Sequence, residues 1–345
     1  MTSVGENGPS STRIRRPLAC SPAPEKPADV TDLDRKRLAD MSLADALRIA
    51  RRQDGMITRE QALEAGLTAG RIRWLVRTGK WSRPGRATYL VPGADPIRGN
   101  ARAAVVRRPD AVVCGITAAR VAGLDALPLP GPAEPVHLLV SRCNSHAPAF
   151  GVAFHVGEIE ARDVHNLAGI PITSPARTLA DLTLTFDRMR AISVLDAGLR
   201  AGWIPGMDAV RAQLFGRRGA VARRPWLAEV DGRSESPLET HVRLILADAG
   251  LAAEELQHHV HDEGGSIIAR LDLAWPSRRV FVEADGVGYH SAPLPIHRDR
   301  DRQNRLVERG WRVQRFTWAD VEHRPGWIVA RVATLLAVPP EVMSA

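Results

Sequence analysis

Two neighbouring segments near the C-terminus, Arg270-Leu271-Asp272-Leu273-Ala274-Trp275 and Arg279-Val280-Phe281-Val282-Glu283-Ala284-Asp285-Gly286, limit the fold more than any other feature. Leu271, Leu273 and Trp275 alternate with Asp272 and Ala274, which is the period of a strand with one buried face. Only Pro276-Ser277-Arg278 separates the segments, so the spacing predicts an antiparallel hairpin. Glu283 and Asp285 are two apart and share a face. Carboxylates at the end of an apolar strand are costly without a counter-charge. The pattern therefore predicts that Asp272, Glu283 and Asp285 converge on a divalent cation, and hard oxygen donors suit Mg²⁺ or Mn²⁺. Such an ion activates water and stabilises charge on a scissile phosphate.

The surrounding sequence supplies the rest of a mixed sheet flanked by helices. Ser236-Pro237-Leu238-Glu239 starts a helix with the apolar stripe Leu238, Val242, Ile245 and Leu246, and Gln257–His261 reads as a strand. After Tyr289-His290-Ser291 comes a charged helix that ends at Gly310, then a strand through Val313, Phe316 and Trp318, then a last helix through Ile328 and Leu335. His258, His259 and His261 invite a zinc reading. Alternation leaves only His259 and His261 on one face, with no cysteine near, so they are read as surface residues. RLDLAWP, FVEADGVGYH, RDRDRQNRLVERGW and VQRFTWADV, in that order, resemble the very-short-patch-repair-like endonucleases of the restriction-endonuclease-like superfamily. The resemblance covers roughly 100 residues. It implies Asp272 and Glu283 as metal ligands, Glu239 assisting, and Asp285 and His290 completing the site. The lysine usual in the superfamily is replaced by Asp285, which leaves His290 as the candidate general base. Arg298 or Arg302 is the candidate phosphate contact.

The opposite end has a different periodicity. Leu43, Ala46, Leu47 and Ala50 recur at helical spacing, and Gly55-Met56-Ile57 is a short extended link. Thr58 and Gln61 form a capping box for a second helix that stops at Gly66, and Thr68 caps a third that stops at Gly79. Lys80 to Val91 reads as a hairpin turning at Pro84-Gly85. Three short helices and a hairpin make a winged helix, whose third helix enters the major groove. Arg71, Arg73 and Arg77 fall on or beside the exposed face of that helix, and Lys80, Arg83 and Arg86 on the wing, while Trp74 is assigned to the core. ITREQALEAGLTAGRIRWLVRTGKW followed by RPGRATYLVPG resembles the N-terminal winged helix of abortive-infection type IV antitoxins, which implies binding to the operon's own promoter.

Charge agrees with this division. Residues 41–110 hold 14 Lys+Arg against 6 Asp+Glu, whereas residues 233–345 hold 14 against 16. A basic module ahead of a mildly acidic one suits a DNA-docking part joined to a metal-binding part. The expected organisation is an α+β (α/β) chain. It has a disordered tail (1–40), a winged helix (41–95), an α/β antitoxin-like middle region (97–204), a basic linker (205–232) and a restriction-endonuclease-like domain (233–340). In the middle region, Val136–Val140 and Val152–Val156 read as strands and Pro175 as a helix start, while His155, Asp163 and His165 read as scattered surface residues. Cys20, Cys114 and Cys143 have no paired spacing, so a cytoplasmic, reducing setting is expected. No stretch is apolar enough to span a membrane. Two functions follow as expectations. One is a Mg²⁺-dependent DNA endonuclease in defence or repair. The other is a DNA-binding regulator of antitoxin type with an idle nuclease fold. The expected partners are DNA and either a cognate toxin or a methyltransferase-type protein.

Overall fold

The computed structural model describes residues 32–141, 151–285 and 293–339. The fold is α+β, with three sheets that follow one another along the chain. Most of the expected tail lies outside the described residues, but its boundary moves, because the first helix, α1 (Asp32–Arg51), begins before residue 40.

The first sheet belongs to the winged helix. After α1 come β1 (Met56–Thr58), α2 (Arg59–Glu64), α3 (Ala69–Arg77), β2 (Ser82–Gly85) and β3 (Thr88–Leu90), with strand order β1-β3-β2. The capping box forms as the sequence predicts. Thr58 Oγ1 accepts from the Gln61 amide at 3.1 Å, and Gln61 Oε1 accepts from the Thr58 amide at 3.1 Å. Thr68 Oγ1 caps α3 by accepting from the Arg71 amide at 3.1 Å. Ala46, Ile57, Leu75 and Trp81 are buried together beneath the helices. The hairpin turn falls at Arg86-Ala87 rather than at Pro84-Gly85, since Gly85 pairs with Thr88. Pro84 is tolerated inside β2 because that strand is the sheet edge, where its missing N–H breaks no ladder bond. Ala87 takes the left-handed conformation instead, at φ 59°.

The second sheet begins after α4 (Pro96–Arg107). It is built from β4 (Val112–Val113), β5 (Val136–Val140), β6 (Val152–Val156), β7 (Val164–Leu167) and β8 (Ile170–Thr173), in the order β6-β5-β4-β8-β7. Helix α5 (Gly115–Val121) follows β4; α6 (Pro175–Thr185) and α7 (Arg188–Arg200) follow β8. Ser174 caps α6 and Pro175 occupies its first turn, where no amide partner is needed. Asp163 is buried and accepts from Gln213 Nε2 at 2.7 Å, which corrects its reading as a surface residue.

Residues 205–232 do not form an exposed linker. They hold α8 (Met207–Leu214) and α9 (Ala220–Arg223). Val210, Leu214, Ala220 and Leu227 are buried in one cluster with Leu179 and Leu195. Val210 and Leu214 stand four apart on one helical face, and the arginines around them hid that spacing.

The third sheet is framed by α10 (Pro237–Asp248). It contains β9 (Glu255–His261), β10 (Ile267–Trp275), β11 (Val280–Ala284) and, after α11 (Pro293–Glu308), β12 (Arg312–Phe316); α12 (Trp318–His323) and α13 (Pro325–Ala337) close the chain. The order is β12-β11-β10-β9. The expected hairpin is present, with Leu273 opposite Val282 and Trp275 opposite Val280. Strand β12 lies parallel to β11 and sets Arg315 beside Glu283.

Ion pairs fix the junctions. Asp54, in the left-handed conformation at φ 54°, accepts from Arg98 Nε at 2.9 Å and from Arg102 Nη2 at 2.6 Å. Both arginines lie on α4, and Arg98 also donates to the Val121 carbonyl of the second module. Gly55 follows at φ 80°, and a side chain there would overlap Ala94. At the other junction Asp196 on α7 is 1% exposed and accepts from Thr240 Oγ1 and Arg243 Nη2 on α10, each at 2.8 Å.

Burial pushes the Asp54 pKa up, but the hydrogen bonds and charges of Arg98 and Arg102 together outweigh it and hold the carboxyl below its usual range. A lowered carboxylate pKa contributes stability that is present at neutral pH and lost as pH falls through the folded-state value. Asp54→Ala should cost about 1.5–3 kcal/mol at pH 7, the range for hydrogen bonds to charged groups. The penalty should shrink between pH 7 and pH 3, as the carboxyl begins to be protonated. Thermal melts at the two pH values, with hydrogen exchange of the β1–β3 amides, measure it.

Candidate functional site

Two constellations carry chemistry. The first is the outer face of α3 with the wing. Ile72 and Leu75 turn into the core, which leaves Arg73 and Arg77, one helical turn apart, exposed on the opposite side. Arg86 is exposed at the tip of the hairpin and Arg83 on β2, where its Nε donates to the Gly85 carbonyl at 3.3 Å. Trp74 is half-buried rather than wholly core. The Arg71 guanidinium sits 4.3 Å from its ring centroid and the Lys80 ammonium 4.7 Å away, a cation–π arrangement that holds both charges at the helix surface. Among the described residues no carboxylate pairs with Arg71, Arg73, Arg77, Lys80, Arg83 or Arg86. All six residues expected to bind DNA therefore lie on this one small module, with their charge available to an outside anion.

The second constellation is acidic. Glu239 in the first turn of α10 is buried, and its Oε2 accepts from the Glu235 amide at 2.8 Å and from Gln257 Nε2 at 2.9 Å. Asp272 on β10 accepts from the Ala284 amide at 3.0 Å. Its pKa is pushed up to about 6, first by burial and then by the negative charges of Glu239 and Glu283, against the Ala284 amide and Arg302. The Glu239 pKa is also raised, mainly by burial. Glu283 is held on both oxygens, by Arg302 Nη2 at 2.5 Å and by Arg315 Nε at 2.7 Å. The hairpin register and the start of α10 thus bring Glu239, Asp272 and Glu283 into electrostatic contact. Asp285 does not join them. It is exposed beyond the end of β11, where its amide donates to the Phe316 carbonyl at 2.8 Å. The pleat that gives Glu283 and Asp285 one face ends at Ala284, so the two-residue spacing no longer applies. His290 lies outside the described residues, as does the side chain of Arg298.

Sequence reasoning missed Gln257. It is the one non-glycine position of β9 in the left-handed conformation, at φ 55°, and its Oε1 is buried with no hydrogen-bond partner while its Nε2 holds Glu239. Strain of this kind persists where the surroundings over-determine it. The only sequence signal was its place at the head of a strand that returns toward Asp272. Arg315 was missed as a partner of Glu283 because the parallel β11–β12 register is not visible in sequence. The donors here are all oxygen, the chemistry that suits Mg²⁺. Among the described residues, buried Glu239 and half-buried Asp272 have no guanidinium hydrogen bond, and Glu283 is neutralised by two. Among the described residues no three His, Cys, Asp or Glu side chains are grouped so as to hold a metal ion. His259 and His261 share a face with ring centroids 6.3 Å apart. Cys114 is buried and unpaired. No helix of the described residues is long and apolar enough to cross a membrane.

Residues 45–92 match the family model described as transcriptional regulator, AbiEi antitoxin. The match covers the winged helix and stops ahead of the second sheet. Two curated relatives, both uncharacterized proteins of Mycobacterium tuberculosis, are 34% identical to the chain over 230 residues, spanning 65% of this chain and 80% of each relative. At that identity and coverage the chain belongs to the same family as these two mycobacterial proteins, and it carries an AbiEi-type regulator module at residues 45–92.

Proposed function

We propose that the protein is a DNA-binding transcriptional regulator of the AbiEi antitoxin type, docking on duplex DNA through α3 and the wing. The observation that carries this reading is the basic face of α3, where Arg73 and Arg77 stand exposed and free of carboxylate partners beside Arg71, Lys80, Arg83 and Arg86. Arginine on a groove-sized helix reads base edges, and wing cations contact phosphate. The family match over residues 45–92 supports the reading. A natural target is the DNA upstream of its own gene, and the natural protein partner is a cognate toxin, or a methyltransferase-type protein if the system is one of restriction or repair. Fluorescence anisotropy with an upstream duplex tests it. The Arg73→Ala, Arg77→Ala double variant should bind at least tenfold more weakly, as expected for the loss of two charged contacts. If these are phosphate contacts, the slope of log K against log salt should also shrink by about 2. Unchanged affinity would refute the assignment.

A second reading is favoured by one observation, the raised pKa of Asp272 beside Glu239 and Glu283. In it the third sheet is a metal-dependent endonuclease domain acting on DNA. Asp272, Glu239 and Glu283 would have to draw closer together than they stand in this structure to hold Mg²⁺ or Mn²⁺, and the bound ion would polarise a scissile phosphate. Arg302 and Arg315 would then shift from Glu283 toward the phosphate. Gln257 would keep Glu239 oriented. A carboxylate whose folded pKa lies above its unfolded value costs stability once pH rises past the folded value, and costs nothing below the unfolded value. Asp272→Asn keeps an acceptor for the Ala284 amide. At pH 8 without metal it should therefore stabilise the fold by about 2–3 kcal/mol, from a shift of about two pKa units. The gain should disappear near pH 4. Millimolar Mg²⁺ should raise the melting temperature of the native protein and leave that of Asp272→Asn unchanged. The native protein should nick supercoiled DNA and Asp272→Ala should not. A Mg²⁺-independent melt combined with nicking that survives Asp272→Ala would end this reading.

A further inference from the structure

The wing is backed by a cation from outside its own module. Helix α4 packs against β2, and Arg107, the last residue of α4, lays its guanidinium across Gly85. A β-carbon at Gly85 would fall 1.5 Å from Arg107 Nη1 and 2.3 Å from Cζ. Gly85 is outside the left-handed region, so the close approach of the guanidinium, and not backbone strain, is what favours a glycine there. Strand β2 is the edge of its sheet, and no strand stands between this position and an outside partner.

Nothing inside the described protein answers the Arg107 charge. Its Nε is buried with no hydrogen-bond partner, although a buried charged donor normally has one. Among the described residues no hydrogen bond or ion pair engages Nη1 or Nη2 either. These two nitrogens are not sealed in, since Nε alone of the three is buried without a partner. Burial lowers the Arg107 pKa and no acid offsets that shift, yet a guanidinium keeps its proton at neutral pH.

Two more guanidiniums meet at the same glycine. Arg83 Nε donates to the Gly85 carbonyl at 3.3 Å, and exposed Arg86 follows Gly85 in the chain. Like charges gathered at one strand position without an acid repel one another. A phosphate supplies what all three lack, a negative charge and acceptor oxygens that match the planar fork of arginine.

We propose, resting on the docking reading above, that Arg107 belongs to the DNA interface. With Arg83 and Arg86 it grips a backbone phosphate at the base of the wing, Nη1 and Nη2 donating to the phosphate oxygens. The interface thereby extends beyond residues 45–92 onto α4, the helix that Arg98 and Arg102 already lock to Asp54. Such a contact sets the position of the protein on the duplex and not its choice of sequence.

Fluorescence anisotropy of the full-length protein on the upstream duplex, repeated across a salt series, tests it. Arg107→Ala should weaken binding about tenfold, as expected for one charged contact. It should also reduce the slope of log K against log salt by about 1, the mark of one lost phosphate contact. Arg107→Lys keeps the charge and should restore the slope. Gly85→Ala removes no charge but fills the seat of the guanidinium, whose flexible tip can move aside, so the fold should persist while affinity drops several-fold. Arg162→Ala, which deletes an exposed arginine elsewhere in the second module, should leave the slope unchanged. A brace that never touches DNA would lower the melting temperature of Arg107→Ala and keep the native slope. A native slope in Arg107→Ala would therefore overturn the proposal, and so would an equal loss of slope in Arg162→Ala. If the Arg73→Ala, Arg77→Ala protein loses binding while Arg107→Ala keeps the native slope, this inference falls and the docking reading stands. A native protein that binds no duplex would overturn both.

Discussion

The placement of α3, the helix proposed to meet DNA, rests on one carboxylate. Asp54 stands at the joint between α1 and β1 in a strained left-handed conformation, and its oxygens are taken by Arg98 and Arg102 of α4. Arg98 reaches on to the Val121 carbonyl and Arg102 to the Ala168 carbonyl of the second module. A winged helix of about sixty residues buries little surface by itself. Docked through Asp54, it becomes a fixed part of a larger body, and α3 presents its arginines in one direction. Asp196 repeats the device at the next junction. Its burial, the dominant influence, pushes its pKa up to about 6 although Arg243 lies against it, so the α7–α10 contact carries an internal cost. Buried pairs of this sort are better at specifying one arrangement than at stabilising it.

The third sheet combines charges on a different principle. Glu283 is answered by two arginines, one from the helix α11 and one from the neighbouring strand, whereas Asp272 and Glu239 are answered mainly by amide donors. That imbalance leaves Asp272 and Glu239 without a guanidinium hydrogen bond among the described residues. A fully neutralised cluster would need no further partner. A pair of carboxylates with raised pKa values, next to a buried amide oxygen of Gln257 that has no donor, is stable only because the sheet holds it in place. In the N-terminal module Arg73, Arg77, Lys80, Arg83 and Arg86 face water, although Arg71 Nε is buried without a hydrogen-bond partner.

Much of this was legible in the sequence because it depends on local chemistry. Thr58, Gln61, Thr68 and Ser236 set helix starts through side-chain oxygens that accept from nearby backbone amides, Pro175 does so through its fixed φ, and short apolar runs placed β5, β6 and the β10–β11 hairpin. The exposure of Arg73 and Arg77 followed from helical spacing around Ile72 and Leu75, and that of Arg83 and Arg86 from the hairpin reading. What failed was non-local. The arginine-rich stretch 205–232 was read by composition, although Val210 and Leu214 bury it against α6. Asp285 was placed by the pleat of a strand that ends one residue earlier. Gln257 and Arg315 acquire their roles from register between distant strands, and Asp54 acquires its role from a helix more than forty residues on, which no spacing rule predicts.

Contact between α3 and DNA is the claim on which the functional account turns, and a photo-crosslink reports it directly. A benzoylphenylalanine at position 73, exposed on α3, should crosslink to a duplex from upstream of the gene, while the same probe at the exposed position 259, on β9, should crosslink far less. Efficient crosslinking at 259 with none at 73, under conditions where the duplex is bound, would show that DNA reaches the third sheet without the winged helix and would contradict the account.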